Sequence, residues 1–111
     1  MVFTLDYQSL ALTPLEKMFI DELEYLLHEQ NLDTCHLQIN RMGDKTLNFR
    51  LTGCQIGRIK LQGIPKMQVL TDKTVRWYQD EPFVKSLARL KQWIAYAKKP
   101  GIYDPSRSVP W

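Results

Sequence analysis

Cysteine is scarce in this chain. Its 111 residues hold two, Cys35 and Cys54, too few for a disulfide framework, so both are expected as thiols of a reducing compartment. No CxxC or HxxxH knuckle is present, and zinc needs three or four converging ligands. Small thiols and surface imidazoles are therefore the expected roles of Cys35, Cys54, His28 and His36, with no metal. On an extended strand, Cys35 and His36 would also point to opposite faces, poor geometry for a thiolate–imidazole pair.

Long apolar runs are missing too: none approaches the roughly 18–20 residues that span a bilayer. The opening stretch, MVFTLDYQSLALTPLEK, has no basic start and carries Asp6 among its first apolar residues, unlike a secretory signal. A soluble cytoplasmic protein without membrane association is the expectation. Glycine is sparse, and Gly53, Gly57 and Gly63 are spaced through strand-like segments rather than at a strand-to-helix junction. That excludes a P-loop and a dinucleotide fingerprint, and no cofactor is expected. No Ser or Cys occupies a glycine elbow, and the neighbouring carboxylates Asp21 and Glu24 have no evident pocket. No catalytic residue is assigned, and a non-enzymatic role follows.

What the chain does hold is amphipathic pattern. Hydrophobic residues make up 44% and charged residues 24%, near the averages of globular domains. One α+β domain is expected over residues 1–100, with an extended tail over 101–111. Residues 1–12 form a strand or a packed arm. Thr13-Pro14-Leu15-Glu16 starts a helix: a capping hydroxyl, a proline at the first helical position and a glutamate completing the capping box. Leu15, Phe19, Leu23, Leu26 and Leu27 share its inner face, with Met18 and Ile20 at the margins and acids opposite. Asn31 is its left-handed stop. A second helix, capped by Gln79 or Asp80, carries Phe83, Leu87, Leu90, Ile94 and Ala97 inward with Val84 and Trp93 beside them, and ends at Pro100-Gly101.

Between the helices, His36 to Tyr78 reads as four or five strands of an antiparallel meander. Turns are expected at Met42–Lys45, at Gly53, before Pro65 and at Thr71–Thr74. Leu37, Ile39, Leu47, Phe49, Leu51, Gly57, Ile59, Leu61, Met67, Val69, Val75 and Trp77 point to the core. Gln38, Asn40, Asn48, Arg50, Ile56, Arg58, Lys60, Gln62, Lys66, Gln68, Arg76 and Tyr78 point away. Both helices then cover the apolar face, leaving the polar face to solvent.

Charge is unevenly placed. The net charge is +3, yet the first helix is rich in acids while His36–Tyr78 carries eight bases against Asp44 and Asp72. Such asymmetry points to a polyanionic partner or to self-association. Basic side chains on adjacent strands match the repeat of a phosphate backbone. The candidate nucleic-acid-binding residues are Arg50, Arg58, Lys60, Lys66 and Arg76 on phosphates, and Gln68 with Tyr78 on bases. Aromatic support is thin, because Trp77 is expected inward. The plainer account of the same face is a solvated surface whose cations discourage edge pairing. The alternative function is a protein-interaction or regulatory module, self-associating as a homodimer through the acidic first helix and anchored by Tyr96, Tyr103 and Trp111.

Overall fold

Thr13 and Glu16 satisfy each other's orphan amides: the Glu16 amide donates to Thr13 Oγ1 at 3.2 Å and the Thr13 amide to Glu16 Oε1 at 2.9 Å. In the computed structural model, which describes residues 11–104 and 106, this capping box opens helix α1, Pro14–Glu29. Asn31, at φ 60°, ends it in the left-handed region as its side chain permits. A 3₁₀ turn, Thr34–His36, leads into five strands: β1 Leu37–Arg41, β2 Leu47–Leu51, β3 Cys54–Lys60, β4 Lys66–Leu70 and β5 Val75–Gln79. Helix α2, Phe83–Ala97, follows. The strands lie in sequence order, each antiparallel to the next. The architecture is thus the expected α+β meander with one helix before and one after the sheet. No helix among the described residues is long and apolar enough to cross a membrane.

Both helices cover one face. Phe49 of β2 and Phe19 of α1 bring their ring centroids to 5.8 Å, and Trp93 of α2 stands 5.3 Å from each. All three are fully buried. Trp93 also donates its indole N–H to the Gln68 carbonyl at 2.7 Å, satisfying the polar atom that makes a buried tryptophan costly. Gly57 of β3 lies beneath the indole, where any side chain would collide with it.

The buried stripes of the helices depart from expectation. On α1 they comprise Glu16, Phe19, Ile20, Leu23 and Leu27, whereas Leu15 and Met18 are exposed. The face is rotated toward Glu16 because the carboxylate has a partner. Arg41, at the end of β1, reaches both carboxylate oxygens, 2.8 Å to Oε1 and 3.0 Å to Oε2. On α2 the inner residues are Ser86, Leu90, Trp93, Ile94 and Ala97, and Val84 is exposed. Pro82, not Gln79 or Asp80, takes the cap position and makes no side-chain cap. Glu81 instead receives a two-pronged contact from Arg89, at 2.9 and 2.8 Å.

Thr52 and Gly53 form the tight turn between β2 and β3, at φ 47° and 85°. A β-branched residue rarely adopts positive φ. Thr52 is held there by the segment after α2: its hydroxyl donates to the Ile102 carbonyl at 2.7 Å and accepts from the Asp104 amide at 3.0 Å. Thr52→Ala is expected to cost about 1–2 kcal/mol, the usual range for losing a buried hydrogen-bonded hydroxyl. Urea denaturation measures it.

Candidate functional site

The strand sequences contain no acidic residue, so every charge the sheet presents is positive. Alternation from the helix-facing residues Phe49, Gly57, Ile59 and Met67 places Arg50, Arg58, Lys60, Lys66 and Gln68 on the opposite face. The register confirms neighbours: Asn48 pairs with Arg58, and Lys60 with Lys66. These five residues are brought together as the pattern indicated. Arg76 and Tyr78 are not. Met67 pairs with Tyr78 and Val69 with Arg76, which puts both on the helix-covered side of β5. The Tyr78 ring is packed against the core, with the Arg89 guanidinium 3.5 Å from its centroid. The expected inward positions are reversed accordingly: Val75 and Trp77 face outward, 57% and 43% exposed.

That reversal changes the chemistry of the face. Trp77 sits opposite Gln68, and the Lys66 ammonium lies over its ring at 5.1 Å from the centroid. A half-exposed indole thus borders a field of cations. Arg58 is positioned by a hydrogen bond from its Nε to Asn48 Oδ1 at 3.2 Å, and Asn48 in turn donates to Asn40 at 3.3 Å. Its terminal guanidinium nitrogens remain the ones to meet a ligand. Among the described residues Arg50, Arg58 and Lys60 form no ion pair, and only Lys66 has an acid nearby, Asp44 at 3.4 Å. Hydrogen bonds from Thr46 and then the Lys66 contact hold the Asp44 carboxyl down at about 2, so it stays ionised throughout the physiological range.

Gln68 was expected to read bases. It is buried, and its Oε1 accepts from Gln55 at 2.6 Å. Asn48 and Gln38 are also buried. Asn48 is engaged by Asn40 and Arg58, and Gln68 by Gln55, so the charged ends are what a ligand meets. A bulge contributes: Phe49 pairs with Gly57 but Arg50 with Gln55, leaving Ile56 as the extra residue. Ile56 is fully buried, not part of a polar face. Arg41, counted by sequence with the basic segment, is spent on Glu16.

Beside the cations, the Met42–Lys45 turn and the β3–β4 connection enclose a shallow pocket lined by Gly43, Asp44, Lys45, Lys60, Gln62 and Gly63. Lys45 and Lys60 form no ion pair among the described residues. Lys45 holds φ 75° in its turn, a position in which glycine carries no steric penalty.

The other expected anchors are placed differently. Tyr103 is engaged within the chain, its hydroxyl accepting the Asp33 amide at 3.0 Å. Tyr96 is half-buried beside Lys99 in a surface groove. Trp111 and the first ten residues of the strand or arm expected over residues 1–12 lie outside the described residues. Both cysteines are half-buried, and the Cys54 thiol donates to the Gly101 carbonyl at 3.6 Å. Cys35, however, is in the 3₁₀ turn rather than a strand, so it does not diverge from His36 as expected.

No family model, curated protein or solved structure matches this chain.

Proposed function

We propose that the outer face of the sheet binds single-stranded nucleic acid without strong sequence preference. Arg50, Arg58, Lys60 and Lys66 pair with phosphates, and Trp77 offers a stacking surface for one base. The observation that carries this reading is the position of Trp77, turned outward beside Lys66 on a sheet whose strands contain no acidic residue. Cationic tracks joined to an aromatic platform are the recurring solution for single strands, because every base has a π-face. Internally satisfied amides favour backbone contact over base readout.

Fluorescence anisotropy with single-stranded RNA, single-stranded DNA and duplex DNA at two salt concentrations tests it. Single strands are expected to bind more tightly than duplex. With about four phosphates neutralised, log K should fall with log salt at a slope near −3. Arg58→Glu/Lys60→Glu is expected to abolish binding. Trp77→Ala should weaken it about tenfold or more, given the roughly 1–3 kcal/mol a stacked base contributes. Arg76→Ala, on the other side of β5, should change affinity far less than loss of Arg58. Absence of binding at low salt, or a double mutant that binds like the parent, would discard this function.

A further inference from the structure

The turn that enters the sheet gathers three different metal-binding side chains. A carboxylate oxygen of Asp33, the thiol sulfur of Cys35 and an imidazole nitrogen of His36 all lie within 4.8 Å of one another. Adjacent residues in a strand diverge, but a 3₁₀ turn, at about three residues per turn, brings residues i and i+3 to one side, here Asp33 and His36, with the Cys35 sulfur close to both. The turn is fixed from several directions. The Cys35 amide donates to Asp33 Oδ1 at 2.9 Å and the His36 amide to the Asp33 carbonyl at 3.2 Å. Across the sheet edge, the Thr52 amide donates to the His36 carbonyl at 3.2 Å.

Tyr103 braces the cluster from the segment after α2. Its hydroxyl accepts the Asp33 amide, and its ring meets the His36 imidazole edge-on, with centroids 6.2 Å apart. Cys35 and His36 are half-buried, and Asp33 is exposed, so the donors stand at a rim that an ion can reach. None of them belongs to the basic sheet face.

We propose that Asp33, Cys35 and His36 bind one divalent transition-metal ion of zinc-like character. They supply one oxygen, one sulfur and one nitrogen and leave a fourth position to water or a further ligand. Thiolate and imidazole donors select such an ion over magnesium or calcium, which take oxygen shells. Metal–ligand bonds of about 2.0–2.3 Å place tetrahedral donors roughly 3.3–3.8 Å apart. The observed cluster therefore closes onto an ion by side-chain adjustments on the order of 1 Å. Binding replaces the S–H bond of Cys35 with a sulfur–metal bond and releases that proton to solvent. Tyr103 acts as a positioning residue, as outer contacts orient ligands in metal sites.

Cobalt(II) titration of the reduced, metal-free protein tests the site. A thiolate-to-cobalt charge-transfer band and tetrahedral d–d bands should saturate at one equivalent and be bleached by zinc. Cys35→Ser should remove the charge-transfer band, Cys54→Ser should retain it, and His36→Ala should weaken affinity at least tenfold. Tyr103→Phe, which keeps the ring and removes the hydroxyl, should weaken affinity by about tenfold, at the low end of the usual 10–100-fold effect of outer contacts. Zinc should also slow alkylation of Cys35, but not of Cys54, in the unmutated chain. Absence of a charge-transfer band, its survival in Cys35→Ser, or equal alkylation of Cys35 with and without zinc would overturn the proposal.

Discussion

Gly57→Ala is expected to destabilise the protein by about 3 kcal/mol, the upper part of the usual range for overfilling a packed core. A β-carbon at this position would lie 2.3 Å from Cε2 and 2.4 Å from Cζ2 of Trp93, far inside van der Waals contact. The indole has nowhere to retreat. Phe19 and Phe49 flank it, each at 5.3 Å between centroids, and its N–H is tied to Gln68 at 2.7 Å. Either the ring leaves its hydrogen bond or β3 moves away from α2. Chemical denaturation should show a lower midpoint, and thermal melting a drop on the order of 15 °C. In a double-mutant cycle with Trp93→Phe, the combined loss should be smaller than the sum of the single losses, because the smaller ring vacates the space that alanine claims. A Gly57→Ala protein that melts with the parent would contradict this packing.

Glu16→Ala should cost nearly as much, about 2–4 kcal/mol. Glu16 has no exposed surface, and Arg41, its partner at 2.8 Å, is 21% exposed. Removing one member of a buried pair typically costs about 3–5 kcal/mol, since the other charge is left without compensation. Partial hydration of Arg41 reduces that figure, while loss of the helix cap adds to it. Glu16→Gln preserves an acceptor for Thr13 and should be milder. The pair also predicts a pH dependence. Burial alone pushes the Glu16 carboxyl up, but hydrogen bonds from Arg41, Thr13 and Gln62 outweigh it and lower the group below its ordinary value of 4.5. Its stabilising contribution is therefore complete above the unfolded-state value and is lost as pH falls through the lower folded-state value. The parent should lose stability on acidification below about pH 4.5, the usual glutamate range, and Glu16→Gln should lose less over that interval. Urea midpoints measured from neutral pH downward provide the comparison; parallel curves would exclude Glu16 as a source of acid sensitivity.

The meander itself was readable because β1, β2 and β4 each alternate cleanly and are separated by turn residues. Glycine and alternation also located the helix side of β3 at Gly57 and Ile59. β5 was not readable in the same way. VRWYQ offers large rings on both faces, Trp77 on one and Tyr78 on the other, so alternation alone does not choose between them. Tertiary partners decide: Arg89 of α2 covers Tyr78, and Lys66 of β4 attends Trp77. Ile56 escaped for a different reason, since a bulge inserts a residue and breaks period two locally. Glu16 escaped because one helix position serves both as a cap and as the partner of Arg41, twenty-five residues away. Local pattern reports the cap and is silent on the partner. The same holds for Asp33, Cys35 and His36, whose convergence depends on a turn that reads, by sequence, as the beginning of a strand.

Thr52 gives the chain an order of completion. The β2–β3 hairpin is assembled from residues 47–60, yet the conformation at its tip is secured by Ile102 and Asp104. During synthesis, which proceeds at about 5–20 residues per second, the hairpin must wait several seconds for the groups that hold its tip. In that interval the positive φ of Thr52 lacks the two hydrogen bonds that Ile102 and Asp104 supply. The tip of the central hairpin is thus completed by residues made some fifty positions later, while its register rests on the buried face of Phe49 and Gly57.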